Sequence, residues 1–242
     1  MTVKAVIFDL DGTLSTFNLD FRTVRTQVKS FLEGEGVPAS LLSLNESVFE
    51  MLRKTEEWAE NTGRPAQFIE EVKNRASVIL EKHELEAASK TNLLPGVVET
   101  LKVLGDMELK MGLCTINSEK SVSCILERFG IESFFDVTIT RNQVARVKPH
   151  PEHIEAALRV LGISPREAIV VGDSSVDMKS ATELKMIAVG LPTGVSTVEQ
   201  LKNSGANYIV TSILDLPVLI LKMKNREKAS HKRSEKPRAG AL

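Results

Sequence analysis

Residues 3–14 have the sequence Val-Lys-Ala-Val-Ile-Phe-Asp-Leu-Asp-Gly-Thr-Leu. The first six are mostly apolar and rich in β-branched side chains, which is typical of a buried strand in a parallel sheet. The run ends in Asp9 and Asp11, so we expect two carboxylates at the carboxyl end of that strand. Open α/β sheets bind ligands at this edge. Aspartates are also common in ordinary turns, so this stretch alone leaves a structural and a functional interpretation open.

Five more short apolar runs follow along the chain, each with a turn and a helix-like pattern behind it. They cover residues 111–114, 137–139, 168–171, 187–189 and 208–210. This alternation predicts an α/β fold with a Rossmann-like parallel sheet. Capping patterns predict helix starts at Ser164-Pro165-Arg166-Glu167 and at Ser196-Thr197-Val198-Glu199.

The first two apolar runs are separated by about 100 residues, far more than the dozen that a crossover connection requires. Apolar side chains there fall twice on one helical face: first Phe21, Val24, Val28, Phe31 and Leu32, then Phe68, Ile69, Val72, Ala76, Ile79 and Leu80. Breaks lie at residues 34–38 and 61–65. We therefore predict an α/β core formed by residues 1–15 and 91–221, with a helical bundle inserted at residues 16–90.

The composition excludes several classes of protein. With 42% hydrophobic and 26% charged residues, the chain of 242 residues is not disordered as a whole. Its net charge of −1 gives no overall field for nucleic acid or an anionic membrane, and no apolar run approaches the length of a membrane span. Two cysteines, Cys114 and Cys124, lack the spacing of a zinc site or redox pair, and no signal peptide is recognisable. We expect a cytoplasmic protein with no membrane partner and no specific nucleic-acid partner.

The charge is unevenly distributed. Residues 222–242 contain eight Lys or Arg against two Glu, a charge of +6, so the remainder carries −7. Basic tails can bind nucleic acid or anionic lipid, but this one is nearly devoid of apolar side chains. We therefore predict a solvated, disordered tail at residues 222–242.

A second acidic pair strengthens the functional interpretation of the first. The run at 168–171 is followed by Gly172-Asp173-Ser174-Ser175-Val176-Asp177, again at the carboxyl end of a predicted strand. Four carboxylates converging on one cleft would repel one another unless a cation were present, and oxygen ligands suit a hard ion such as Mg²⁺. The sequence therefore predicts a metal site where these carboxylates converge.

Two further elements could hold a phosphate. Thr115 and Asn117 follow the second predicted strand, and Lys148 follows the third. A hydroxyl, an amide, a helix N-terminus and an ammonium are the groups that phosphoryl oxygens require. Each residue alone could equally be a cap or a solvated side chain.

Taken together, these motifs resemble the haloacid dehalogenase superfamily of aspartate-nucleophile phosphotransferases over residues 3–215. Its four motifs occur in order: the D-x-D-G-T sequence at residues 9–13, the strand ending in Thr115, the lysine Lys148, and the G-D-x-x-x-D sequence at residues 172–177. The helical insert resembles the cap of phosphoglycolate phosphatase-like members. The resemblance implies the strand order 5-4-1-2-3.

The resemblance also implies roles for individual residues. Asp9 is expected to be the nucleophile and a metal ligand, and Asp11 the general acid, binding the metal through its backbone carbonyl. Asp173 would be the third protein ligand of Mg²⁺, with Asp177 supporting a metal-bound water or Lys148. Thr115, Asn117 and Lys148 would bind the transferring phosphoryl group.

The expected activity is that of a Mg²⁺-dependent phosphatase acting on a small phosphorylated metabolite such as phosphoglycolate. A phosphosugar mutase and a catalytically idle binding or regulatory protein with this fold remain alternatives, as do a monomer and a homodimer. Arg22 and Arg25 lie beside the apolar stripe of the first helix of the insert and could bind a second anionic group of the substrate. They could also be simply solvated.

Three other candidate residues are better explained by structure than by chemistry. The pair His150 and His153 is expected at a surface or a helix cap, and the Cys114 thiol is expected to be a small buried apolar group on a strand.

Overall fold

The structure is a computed structural model that describes residues 2–16 and 18–234, with side chains described up to residue 225. The described chain divides into two compact units. The first contains residues 2–16, 91–116 and 126–234, and the second contains residues 18–90 and 117–125. The inserted helices therefore group with a short piece of chain from beyond the predicted boundary at residue 90.

A parallel sheet of six strands forms the centre of the first unit. The strands are β1 (Ala5–Phe8), β2 (Lys110–Cys114), β3 (Val137–Ile139), β4 (Ala168–Gly172), β5 (Ile187–Gly190) and β6 (Tyr208–Ile209). Their spatial order is β3-β2-β1-β4-β5-β6, and all the pairings are parallel. The order of the first five strands confirms the prediction, and β6 extends the sheet beside β5.

The register of the sheet brings three strand ends together. Phe8, the last residue of β1, pairs with Leu113 of β2 and Val171 of β4. Both β1 and β4 are buried along their whole length, because helices cover the two faces of a parallel sheet. The residues that follow β1, β2 and β4 consequently emerge at one edge.

Three helices make up most of the second unit: α1 (Phe21–Gly34), α2 (Val48–Asn61) and α3 (Ala66–Lys90). The side chains of Asp20 and Ser47 accept hydrogen bonds from the first turns of α1 and α2, and so cap these helices. The helices pack around an apolar core of their own, which includes Val28, Met51 and Ala76. That core contains most of the side chains on the two predicted helical faces.

The remaining helices are α4 (Val97–Asp106), α5 (Glu119–Phe129), α6 (Glu152–Leu161), α7 (Ser175–Glu183), α8 (Val198–Asn203) and α9 (Leu216–Ser234). Residues of α6, α7 and α8 pack with the sheet in one apolar core. Although α3 and α9 are long, no helix in the described ranges is both long and apolar enough to cross a membrane.

Both predicted helix starts differ in detail from the structure. The Ser164 pattern opens only a 3₁₀ turn at Pro165–Glu167, because Ala168 already belongs to β4. The second start is displaced by one residue, since Thr197 caps α8 and forms its capping box with Gln200.

The predicted boundary of the basic tail also differs. Helix α9 continues past Lys222 as far as Ser234, and Met223 is buried. The prediction of an unfolded chain is therefore wrong for the backbone of residues 222–234. Residues 235–242 lie outside the described part of the chain.

Candidate active site

The site is built at the carboxyl edge of the three central strands. Asp9, Thr115 and Asp173 are the first residues after β1, β2 and β4. The backbone N–H of Asp9 still donates to the Val171 carbonyl oxygen (3.0 Å), which continues the ladder between β1 and β4 by one step. Asp9 is therefore fixed by the sheet itself, next to the strand that carries Asp173.

Lys148 links this edge to the loop that follows β3. Its Nζ atom donates to Oδ1 of Asp9 (2.7 Å), to Oδ1 of Asp177 (2.6 Å) and to the carbonyl oxygen of Cys114 (2.7 Å). An ammonium has three protons, so all three are used. The side chain is only 3% exposed. Lys148 is therefore held rigidly between two carboxylates.

Three carboxylates form a compact cluster around this ammonium. Oxygen atoms of Asp9, Asp173 and Asp177 lie within 4.8 Å of one another. Oδ2 of Asp173 accepts a hydrogen bond from the Val195 N–H (2.7 Å). Oδ2 of Asp177 accepts from both the N–H and the hydroxyl of Ser174, in the capping box of α7. Asp177 is thus oriented by its own helix, and Asp173 by the loop after β5.

Glycines make room for these carboxylates. A Cβ atom added at Gly194 would lie 1.9 Å from Oδ2 of Asp173, and one at Gly12 would lie 2.5 Å from the same atom. Gly12 also has a φ of +80°, a backbone conformation that other residues rarely adopt. Two structural features therefore require glycine at position 12 of the D-x-D-G-T motif: the lack of space beside Asp173 and the positive φ.

The charges of the cluster are unbalanced without a cation. Burial, and then repulsion by Asp177, raises the pKa of Asp173 to about 7. Burial also raises the pKa of Asp9 well above its usual range, against the opposing effect of Lys148. Burial disfavours the ammonium of Lys148, but Asp177 and Asp9 outweigh this and raise its pKa. When all three carboxylates are ionised, they and the ammonium sum to two negative charges, so these buried oxygen donors fit a hard divalent cation.

The other residues predicted for the site are placed as follows. The Asp11 carboxylate accepts a hydrogen bond from the Ser15 hydroxyl (2.9 Å), and Thr115 is buried directly after the carbonyl that holds Lys148. Asn117 belongs to the second unit, and its part in phosphate binding stays a prediction.

The two arginines predicted for the insert both lie on α1. Arg22 is exposed. Arg25 donates to the Leu44 carbonyl oxygen (3.2 Å), and its guanidinium lies 5.4 Å from the centre of the Phe21 ring. Arg25 is therefore engaged within the second unit and is not simply solvated.

His153 lies at a position that differs from the one its sequence context predicts. It was expected at a surface or a cap, but it is fully buried and touches the backbone of Lys148. One signal was present: His153, Ala157 and Leu161 are spaced by four residues, so His153 shares the apolar face of α6. The Cys114 thiol is buried as predicted, and burial raises its pKa to about 12.

Comparison with known proteins agrees with this geometry. A family described as haloacid dehalogenase-like hydrolase matches residues 6–191, which include the three clustered aspartates and Lys148. The chain belongs to this family. It is therefore an enzyme of the hydrolase class, and the resemblance predicted from its four motifs is confirmed.

The similarity to individual relatives extends over nearly the whole length of this hydrolase. Pyrophosphatase PpaX of Oceanobacillus iheyensis is 26% identical over 91% of this chain and 98% of its own. The crystal structure of a HAD phosphatase from Thermococcus onnurineus has a TM-score of 0.55 at 26% identity, and covers 90% of this chain and 98% of that one. A predicted phosphoglycolate phosphatase from Haemophilus somnus has a TM-score of 0.61 at 23% identity, over 93% and 99% of the two chains, and shows the shared fold alone.

Proposed function

We propose that this hydrolase is a Mg²⁺-dependent phosphatase that acts on a small phosphorylated metabolite through an aspartyl-phosphate intermediate. The observation that carries the proposal is the contact of Lys148 with Asp9, 2.7 Å long, at the edge where Asp173 also emerges. A buried carboxylate beside a fixed ammonium suits attack on an anionic phosphoryl group, because the ammonium offsets the repulsion between the two. Both cysteines are free thiols, as expected of the cytoplasmic setting that we also propose.

In the first step, an oxygen of Asp9 forms a bond to phosphorus while the bond from phosphorus to the leaving oxygen breaks. The leaving oxygen takes the electron pair and receives a proton from the Asp11 carboxyl group, so an alcohol departs. Ser15 holds the Asp11 side chain through its hydroxyl. Thr115 and Asn117 bind the oxygens of the transferring group, and Lys148 joins them with the proton that it donates to Asp9 before the attack.

In the second step, a water molecule attacks the phosphorus of the aspartyl phosphate and Asp11 accepts its proton. The acyl phosphate bond breaks, inorganic phosphate leaves and the Asp9 carboxylate is restored. Bound to Asp9, Asp173 and the backbone carbonyl of Asp11, Mg²⁺ would supply charge neutralisation between nucleophile and phosphate. Asp177 keeps Lys148 in place while the charge moves.

We propose that the substrate carries a second anionic group. Phosphoglycolate has a carboxylate, and pyrophosphate, which the name of the PpaX relatives implies for those proteins, has a second phosphate. A panel containing both compounds, phosphosugars and nitrophenyl phosphate, assayed with and without Mg²⁺, tests the function. Release of inorganic phosphate that requires Mg²⁺ supports it. A phosphosugar isomer as the product would indicate a mutase, and no turnover of any compound would indicate a binding protein.

Asp11→Asn is expected to slow substrates with poor leaving groups far more than those with good ones. The asparagine keeps the shape but has no acidic proton to donate, and nitrophenolate departs without one. We expect release of the leaving group in a single turnover, which reports the first step alone, to slow at least about 100-fold for an alkyl phosphate and less than about tenfold for nitrophenyl phosphate. Equal losses on the two substrates would contradict the role of Asp11.

Arg22→Ala and Arg25→Ala are expected to lower kcat/KM for the doubly anionic substrate at least about tenfold, because a guanidinium binds a second anion through paired hydrogen bonds. Hydrolysis of nitrophenyl phosphate should change little. Arg53→Ala is the matched control, since Arg53 is exposed on α2 and pairs with Glu50 and Glu57. If both arginine variants treat both substrates as the wild type does, the second anion is bound elsewhere.

A further inference from the structure

His153 occupies an unusual position for a histidine that belongs to neither the carboxylate cluster nor a surface. It is fully buried near the start of α6. Its Nδ1 atom lies 3.4 Å from the backbone nitrogen of Lys148, and its Nε2 atom lies 3.1 Å from the carbonyl oxygen of Ile139. The ring therefore bridges the end of β3 and the residue whose side chain reaches Asp9.

These two partners determine the protonation of the ring. A backbone N–H only donates, so Nδ1 must accept and carries no proton, whereas a carbonyl only accepts, so Nε2 must carry the proton. Both bonds thus require the neutral imidazole in one tautomer. Burial, and then the positive charge of Lys148, lowers the pKa of His153 to about 4, which keeps this neutral form at pH 7.

The bridge closes a ring of contacts around Lys148. Ile139, which accepts from His153, pairs with Cys114 in the register of β3 and β2. The carbonyl oxygen of Cys114 in turn accepts from Nζ of Lys148. The backbone of Lys148 is therefore held, through His153, by the end of β3, and its ammonium is held by the end of β2.

We propose that His153 is a positioning residue for the phosphoryl-transfer step, and that it acts by fixing the backbone of Lys148. The inference rests on the proposed phosphatase function. A lysine side chain is long and flexible, so the place of its ammonium depends on how firmly its backbone is held. A misplacement of about 1 Å at a reacting centre can cost about 100-fold in rate. Both ring nitrogens of His153 are engaged by backbone atoms, so its effect on the reaction would pass through Lys148.

The first test compares His153→Leu with His153→Asn. Leucine fills the space but accepts no hydrogen bond, whereas the asparagine oxygen can replace Nδ1 as the acceptor for the Lys148 N–H. We expect kcat/KM to fall about 10- to 100-fold in His153→Leu, and asparagine to recover at least a third of the wild-type value. Leu158→Ala, at another buried position of α6, is the control for lost stability and should keep wild-type kcat/KM while the fold is intact.

A double-mutant cycle separates positioning from a general structural role. If His153 acts through Lys148, adding His153→Leu to a Lys148→Met variant should change kcat/KM less than about threefold. The inference is overturned if the second substitution costs as much there as in the wild type, or if His153→Leu alone behaves like Leu158→Ala.

A measurement that does not depend on enzyme activity tests the His153 bridge separately from the proposed phosphatase function. Nitrogen-15 spectra of the four histidines, with His153 assigned by its loss in His153→Asn, should show a neutral ring protonated at Nε2 throughout pH 6–8. If no phosphate compound is hydrolysed but this signal is present, the proposed function fails while the bridge stands. A ring protonated at Nδ1, or charged, would disprove the bridge even if the phosphatase assay succeeds.

Discussion

Replacing Asp9 with Asn is expected to abolish turnover of every phosphorylated substrate, with kcat reduced at least about 1,000-fold. An amide is isosteric with the carboxylate and can still accept the hydrogen bond from Lys148, but it is not a nucleophile towards phosphorus. Steady-state release of inorganic phosphate, measured with saturating Mg²⁺, checks the result. Asp106→Asn is the matched control, because Asp106 is exposed at the end of α4. Activity of Asp9→Asn within tenfold of the wild type would contradict the assignment of the nucleophile.

The same variant should unfold at a higher temperature than the wild type when a chelator is present. Asp9 is a buried carboxylate whose pKa is raised by burial and by its acidic neighbours, so its charged form costs free energy in the folded state. The amide avoids that cost, and we expect a gain of about 1 kcal/mol in the free energy of unfolding. Thermal unfolding of the two proteins measures this difference.

The strands and the edge that they form could be predicted from the sequence, because short apolar, β-branched runs report burial locally. The order of the strands could not be derived in that way, since no residue of β1 specifies β4 as its neighbour, and it depended on the family resemblance. The helix predicted to start at Ser164 is absent for the same reason, namely that pairing with a distant strand decides the outcome. Its capping pattern is genuine, but Ala168 is taken by β4, so a single 3₁₀ turn is all that fits.

Within the site, the residues that carry charge were predictable and those that hold them were not. The aspartates and Lys148 stand in recognisable motifs. Gly194 and the carbonyl of Cys114 act on them only because the chain folds back from distant positions. His153 lies five residues after Lys148, but its two partners are backbone atoms, and no side-chain pattern reveals such a contact.

The tail shows a different limit. Residues from 222 onward have no apolar face, and this pattern by itself predicts an unfolded chain. Lysine, arginine and glutamate are nevertheless good helix formers, so a helix already anchored by Leu216, Ile220 and Met223 can continue through them. Lack of an apolar stripe excludes burial along a surface, but it does not exclude extension of a helix.

Lys148→Met is expected to lower kcat/KM at least about 100-fold and to destabilise the protein by about 3 kcal/mol, the usual cost of removing one partner from a buried ion pair. Methionine keeps much of the length and apolar volume, so the loss reports the ammonium. Without it, the carboxylates of Asp9 and Asp177 face each other with no shared donor. Enzyme kinetics and thermal unfolding measure the two effects, and Lys102→Met, at an exposed position of α4, is the control.

The two variants should therefore change activity in the same direction and stability in opposite directions. Unfolding cannot explain the inactivity of an Asp9→Asn protein that is more stable than the wild type. Loss of a charge from the cleft cannot by itself explain why one variant gains stability and the other loses it. If Lys148→Met proves as stable as the wild type, the ammonium does not compensate the buried carboxylates as the contacts indicate. If it is also as active, the phosphoryl group is not held by Lys148, and the bridge from His153 would have nothing to position.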